Sequence, residues 1–242
     1  MTLTRTGRKA MDFDEPPRQR DRRRTIIIVA AATVVVGVFA TWLVAFSSVF
    51  GVRSVEVRGV HVLTADRVRA AADISDGTPL VRLDTSAITK RVERLPEVAS
   101  AQVSTSFPST VVIMVEERVA VGYTLRSEHP VLVDRTGAEY RQVDHPPAGL
   151  PHFMLPTGDQ QRPTAAAVAA VATALPPAVT GHVRWIDALN PNRITLVLSG
   201  HRLVQWGSAE QTELKAHLLP ALLRRPVSSV DLTDPDQPIT RR

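Results

Sequence analysis

Few residues in this chain have the types and the spacing that enzyme chemistry requires. Ser199 and His201 could serve as a nucleophile and its general base, and Glu116 and Glu117 could serve as a carboxylate pair. However, residues two apart at a turn do not build the nucleophile-to-base geometry, and adjacent strand residues point to opposite faces of a sheet. We therefore interpret Ser199 and His201 as parts of a hairpin turn, and we expect no catalytic residue and no enzyme activity.

The sequence also gives no indication of a metal site or a cofactor site. The 242 residues include no cysteine, and the seven histidines are scattered without the short spacings that metal sites favour. Neither a Gly-rich phosphate loop nor a G-x-S-x-G or H-E-x-x-H motif occurs. We expect no metal site, no cofactor and no small-molecule substrate.

The most informative element is an uncharged segment over residues 25–52, directly behind Arg22-Arg23-Arg24. A helix rises about 1.5 Å per residue and a bilayer core is about 30 Å thick, so roughly two dozen apolar residues can cross it. Basic residues beside a span usually stay in the cytoplasm. We predict a basic cytoplasmic tail over residues 1–24, a transmembrane helix over residues 25–50 and an extracytoplasmic remainder.

Three other interpretations of this segment are weaker. A cleaved signal peptide has an apolar region of only about 7 to 15 residues, which is shorter than the segment here. The same length argues against a twin-arginine export signal. A core helix would normally carry a polar face, which this segment lacks.

The net charge of +5 is concentrated in the N-terminal tail. A basic tail suits an anionic membrane leaflet as well as it suits nucleic acid. Because the tail adjoins the predicted span, we favour the membrane and expect no nucleic-acid partner.

The part beyond the span begins with elements of a small α+β unit. Apolar and polar residues alternate over residues 52–60, which is typical of a half-buried strand. Thr64 and Asp84 can each cap a following helix. Two more strands are predicted over residues 98–104 and 110–116, giving the order strand, helix, helix, strand, strand.

This order outside a single span comes with several short motifs. They are Leu95-Pro96-x-Val98-x-x-Ala101-x-Val103, Phe107-Pro108-x-Thr110, Ile113-x-Val115 and Glu117-Arg118. Together they resemble the POTRA domain of the bacterial cell-division protein family FtsQ, called DivIB in some bacteria. The resemblance covers residues 51–120, and it departs from the usual family pattern at Gly59-Val60, Ser106 and Val119.

The second half is predicted to be a mixed, β-rich domain. It contains a hairpin around Gly137, a helix capped by Thr164, three further strands and a helix opened by the capping box Ser208-x-x-Gln211. A last short strand is Val230-Asp231-Leu232. The resemblance implies an FtsQ-type β-rich domain over residues 121–233, followed by a polar tail over residues 234–242, and it matches Trp206-Gly207, Lys215 and Val230-Asp231-Leu232 to family positions.

The resemblance implies a function as well as a fold. It points to a non-enzymatic, single-span scaffold of the divisome in the cell membrane at the division septum, which recruits partners resembling FtsB and FtsL. A short strand at the end of a chain can leave unpaired backbone groups that a partner's strand occupies. The predicted partner-binding residues are Val230, Asp231, Leu232, Thr233 and Ile239.

Other possibilities stay open at this point. The edge of the sheet could be closed by the chain's own tail instead of by a partner. The protein could also be a membrane-anchored or secreted cell-envelope hydrolase whose site is assembled from distant residues. A POTRA chaperone of outer-membrane assembly would need several repeats or an attached barrel, neither of which the sequence shows.

Overall fold

The computed structural model describes residues 19–46 and 50–242, with side chains for residues 24–39 and 50–242. The first helix, α1, is Gln19–Phe46, and its described side chains are exposed. Within these described residues, no helix combines the length and the hydropathy that crossing a membrane requires. The span over residues 25–50 therefore stays a prediction, and residues 1–18 and 47–49 of the predicted tail and span lie outside the description.

The first domain has the predicted order of strand, helix, helix, strand, strand. Its elements are β1 (Ser54–Arg58), α2 (Ala65–Ala72), α3 (Thr85–Val92), β2 (Val98–Ser106) and β3 (Thr110–Glu117). The sheet order is β1-β3-β2, with β1 parallel and β2 antiparallel to β3. This is the POTRA arrangement.

Local hydrogen bonds explain where the two POTRA helices begin. The Arg67 N–H donates to the Thr64 hydroxyl at 3.3 Å, and the Ala87 N–H donates to the Asp84 carboxylate at 2.9 Å. Both predicted caps are thus confirmed, because an N-cap needs only a partner three residues ahead. The apolar faces of both helices pack on the sheet, and the buried core includes Val68, Ala72, Ile88, Val92, Val111, Ile113 and Val115.

The second domain is a nine-stranded mixed sheet with helices against one face. Its order is β12-β11-β10-β9-β8-β7-β4-β5-β6. The strands are β4 (Ala120–Arg126), β5 (His129–Asp134), β6 (Glu139–Gln142), β7 (His152–Met154), β8 (Val183–Asn190), β9 (Arg193–Leu198), β10 (Leu203–Gly207), β11 (Ser229–Asp231) and β12 (Ile239–Arg241). The helices are α4 (Gln161–Ala174), α5 (Pro177–Thr180) and α6 (Thr212–Leu223).

The core of the second domain lies between the sheet and helices α4 and α6. Phe153 and Trp206 are its largest apolar side chains, and both are fully buried. Phe153 packs over Gly122, and a glycine is required there because a Cβ at this position would come within 2.2 Å of the Phe153 ring. The mixed α+β fold predicted from the sequence is therefore present in both domains.

Two predicted helix caps are wrong. Helix α4 begins at Gln161, so Thr164 lies inside it and is buried. Pro163 fits the first turn, where a missing N–H costs nothing, and the helix can start earlier than the sequence pattern indicates. Helix α6 begins at Thr212, and Gln211 makes no side-chain cap.

Ion pairs join the two domains across a very short connection. Only Arg118 and Val119 separate β3 from β4. The Arg118 guanidinium pairs with the Asp134 carboxylate and also donates to the Pro96 carbonyl at 3.1 Å. Arg135 pairs with Glu116 at 2.8 Å. The Glu117-Arg118 motif thus lies at the joint between the domains.

Candidate functional site at the edge of the distal sheet

The far end of the nine-stranded sheet is built from the last residues of the chain. Strand β11 runs parallel to β10, with Val204 opposite Val230. Strand β12 then runs antiparallel to β11, with Thr240 opposite Val230. Among the described residues, no strand pairs with the outer side of β12. We call β12 and its open side the terminal edge.

The terminal edge differs from the prediction at one point. Residues 234–242 are not only a polar tail, because β12 covers the side of β11 that we expected to be open. A turn at Asp234 reverses the chain, with the Gln237 N–H donating to the Asp234 carbonyl at 3.2 Å. The alternative in which the chain's own tail closes β11 is the one observed, and the open edge moves out to Ile239–Arg241.

The five predicted partner-binding residues fall into two groups. Val230 and Leu232 are 1% and 0% exposed and belong to the same core as Trp206. Their side chains hold β11 in place and face away from solvent. Thr233 is exposed, Asp231 is half-buried, and Ile239 on β12 is 57% exposed. These three are the ones available at the surface.

A buried lysine supports the strand beside β11. A bulge at Trp206 interrupts the pairing of β10 with β9. The Lys215 ammonium, from helix α6, donates to the Trp206 carbonyl at 2.9 Å and to the Ser208 carbonyl at 3.1 Å. Lys215 is buried, and this desolvation lowers its pKa. The lysine therefore fixes the end of β10, the strand with which β11 pairs.

Two further contacts complete this support. The Trp206 indole N–H donates to the Thr212 hydroxyl at 3.1 Å, at the start of α6. Gly207 has a φ of +76°, and a Cβ there would lie 3.1 Å from a Thr233 methyl group. The family positions Trp206-Gly207, Lys215 and Val230-Asp231-Leu232, which are distant in sequence, are thus brought together at one corner of the domain.

A groove runs along the sheet beside this corner. It has a volume of about 1100 Å³ and is lined by Asn190, Arg193, Thr195, Gln205, Gly207 and Thr233. Thr233 belongs to both the groove and the predicted site. The groove residues on β8 and β9 were missed at the sequence level, since alternating strand residues there give no sign of which face is left uncovered.

The residues considered for catalysis lie at two separate places in the fold. Ser199 and His201 lie in the turn between β9 and β10. Glu116 pairs with Arg135, whereas the Glu117 carboxylate accepts the N–H groups of three consecutive loop residues at 2.7 to 3.0 Å. Burial alone would raise the pKa of Glu117, but these donors lower it. In the described part of the chain, no three His, Asp or Glu residues are grouped to hold a metal ion.

Comparison with known proteins gives consistent family matches. A model described as "POTRA domain, FtsQ-type" matches residues 50–118, and one described as "Cell division protein FtsQ/DivIB, C-terminal" matches residues 124–233. The cell division protein FtsQ of Streptomyces coelicolor is 34% identical over 240 residues, which cover 92% of this chain and 90% of that protein. The FtsQ of Mycobacterium tuberculosis H37Rv is 35% identical over 207 residues, which cover 86% of this chain.

Coverage of the relatives is uneven. The chain spans 66% of the length of the M. tuberculosis protein. Among solved structures, the major extracytoplasmic domain of the cell division protein DivIB from Geobacillus stearothermophilus is 18% identical, with a TM-score of 0.35. That match covers 44% of this chain and 91% of the DivIB domain. The family assignment depends on the sequence matches.

Proposed function

The chain belongs to the FtsQ/DivIB family of cell-division proteins, and from this membership we propose that it is a non-enzymatic, single-span scaffold of the divisome. Residues 25–50 anchor it in the cell membrane at the division septum, with the N-terminus in the cytoplasm. The basic flank before residue 25 and the uncharged segment behind it support this orientation. The POTRA and distal domains then lie outside the cytoplasm.

The terminal edge is the part of the molecule that recruits division partners. An exposed edge strand offers alternate backbone N–H and C=O groups to a second chain, which can join the sheet as one more strand. The residues of β12, Ile239–Arg241, are all exposed. This open strand is the single observation that carries the proposal. We propose partners resembling FtsB and FtsL, of which one supplies the added strand.

The groove beside the terminal edge supplies side-chain contacts for the same partner. Main-chain hydrogen bonds give affinity without sequence preference, so specificity must come from side-chain pockets nearby. Gln205 of β10 and Thr233, which lies between β11 and β12, line the groove, so the groove adjoins the terminal edge. Arg193, which also lines the groove, adds a positive charge that an acidic side chain of a partner can pair with.

Proline substitutions in β12 test the added strand. Successive N–H groups of a strand point to opposite edges, so either Ile239 or Thr240 presents its N–H outward, and proline removes it. In cells expressing the full chain, we expect one of Ile239→Pro and Thr240→Pro to abolish co-purification of the FtsB-like and FtsL-like proteins. Leu125→Lys, at an exposed position of β4 away from the terminal edge, should bind normally and serves as the control.

Folding must be measured beside binding. Residues of β12 contribute nothing to the buried core, so the thermal midpoint of the variant that loses the outward N–H should stay close to that of the parent chain. The other proline removes an N–H that faces β11, and it therefore also weakens the pairing of β12 with β11. Full co-purification with both proline variants would exclude the terminal edge as the partner site.

A further inference from the structure

Three segments of the POTRA domain meet where the chain enters it from α1. The Val52 N–H donates to the Thr78 carbonyl at 3.0 Å, and the Gly77 N–H donates to the Val52 carbonyl at 2.8 Å. On the other side, the Arg53 N–H donates to the Ser109 carbonyl at 2.9 Å. The entering strand is therefore held between the loop before α3 and the hairpin that joins β2 to β3.

Large apolar side chains are exposed at this end of the domain. Phe107, at the hairpin, is 59% exposed, and Val81, in the loop before α3, is 52% exposed. The Phe107 ring meets the Phe50 ring edge-to-face, with centroids 6.3 Å apart. None of the three belongs to the buried POTRA core. Neither folding nor the terminal edge, which lies in the other domain, requires these side chains to be apolar.

Two exposed arginines flank these groups. Arg53 lies three residues after Phe50, just before β1, and Arg82 directly follows Val81. Acidic residues are also near in sequence, at Asp76 and Asp84, and the Asp84 carboxylate is used to cap α3. We call Phe50, Val81, Phe107, Arg53 and Arg82 the POTRA tip.

The POTRA tip cannot lie far from the end of α1. Helix α1 ends at Phe46, and four peptide steps lead from there to Phe50. A fully extended chain covers at most about 3.6 Å per residue, so Phe50 lies within about 14 Å of the helix end. The headgroup layer on each side of a bilayer core is itself several ångströms thick. If α1 spans the membrane, the POTRA tip lies close enough to α1 to reach that layer.

We propose that the POTRA tip is a lipid-binding surface that seats the domain in the interface of the membrane that holds α1. Aromatic side chains favour the boundary between headgroups and acyl chains, where Phe50 and Phe107 would be placed. Arginines keep their charged ends in the headgroup layer while their stems cover apolar surface. The inference rests on the proposed function, because it requires the anchor.

The absence of cysteine makes the test direct, since one introduced cysteine carries the only label. Ser106→Cys reports on the POTRA tip, and Gln102→Cys reports on the same exposed face of β2, about 13 Å further along the strand. Val34→Cys reports on α1. Each full-length variant is labelled with nitrobenzoxadiazole in phosphatidylcholine vesicles, with or without phosphatidylglycerol, that contain doxyl-labelled lipid as quencher.

We expect strong quenching at Val34→Cys, at least twofold more quenching at Ser106→Cys than at Gln102→Cys, and a further increase with anionic lipid. Adding Phe107→Ser to Ser106→Cys should lower its quenching to the Gln102→Cys level at an unchanged melting midpoint. Equal quenching at positions 106 and 102, with position 34 quenched, would rule out lipid binding by the POTRA tip and would leave the proposed anchor unaffected. Loss of quenching at position 34 as well would overturn both.

Discussion

At the scale of single residues, Lys215 shows how a buried charge can be structural. Its ammonium group fills the acceptors that the β10 bulge leaves at Trp206 and Ser208. A buried carbonyl without a donor costs about 1 to 3 kcal/mol, so the two hydrogen bonds of the lysine offset the cost that burial imposes on its charge.

Replacing this lysine should therefore weaken the distal domain. We expect Lys215→Met, which keeps the length and the apolar stem, to lower the free energy of unfolding by about 1 to 3 kcal/mol, measured by urea denaturation. His217→Gln, on the exposed side of the same helix, is the matched control and should change it by less than about 0.5 kcal/mol. Equal stabilities of both variants would show that the two carbonyls have other donors.

Asp134 gives the joint between the domains a pH dependence. Burial alone would raise the pKa of Asp134, but hydrogen bonds from Thr136 and Arg118 outweigh burial and lower it. A carboxyl whose folded-state pKa is lowered stabilises the fold fully above its unfolded-state pKa of about 3.9. That contribution is lost as the pH falls from there through the folded-state pKa.

The pH dependence can be measured with one substitution. Asp134→Asn should lower the free energy of unfolding by about 1 to 3 kcal/mol at neutral pH. It should also make the further loss of stability below about pH 4 less steep. Denaturant unfolding at a series of pH values measures both effects. Asp187→Asn, on the exposed face of β8, is the control and should leave the loss of stability at acid pH unchanged. If the Asp134→Asn variant lost stability below about pH 4 as steeply as the parent chain, the group that titrates there would be a residue other than Asp134.

At the scale of elements, the POTRA sheet allows its strand facing to be tested. Val103 faces the core from β2 opposite Ile113, whereas its neighbour Gln102 is exposed. Val103→Asp should destabilise the domain by at least about 2 kcal/mol, because it places an unpaired charge against apolar side chains. Gln102→Asp should have little effect. Thermal melting of the two variants side by side checks the register, and similar midpoints would mean that Val103 faces solvent.

Elements with local signals could be predicted from the sequence. The five POTRA elements and the strands β8 to β10 follow from alternation, turn residues and caps that act over a few positions. Strand β12 could not be predicted, since three residues are too few for a periodic pattern and its pairing depends on where β11 lies. The start of α6 was also missed, because the contact of Thr212 with Trp206 is tertiary.

The candidate site was predictable only in part for the same reason. The Val-Asp-Leu segment could be found by its resemblance to the family, and its first two residues do lie in a short strand, β11. Its burial could not be found, because Val230 and Leu232 look like any strand residues until Trp206 is packed against them. Surface exposure at Ile239 and the shape of the groove are properties of the assembled sheet.

At the scale of the whole molecule, the proposed anchor has a simple consequence. If residues 25–50 cross the membrane with the basic tail inside, protease added to intact protoplasts should remove nearly all of residues 51–242. An antibody against the N-terminal tail should then detect a short protected fragment, while a cytoplasmic marker protein stays uncut. Digestion that begins only after lysis would place the domains on the cytoplasmic side.

The two-residue connection at Arg118 and Val119, with ion pairs on both sides, sets the spacing between the POTRA domain and the distal domain. If residues 25–50 anchor the chain and β12 binds a partner, as proposed, this short and ion-paired link keeps the partner site at a set distance from the POTRA domain. Pulling on that partner would be transmitted through the joint to the anchor. The geometry proposed to position a partner would thus also let the molecule transmit mechanical force.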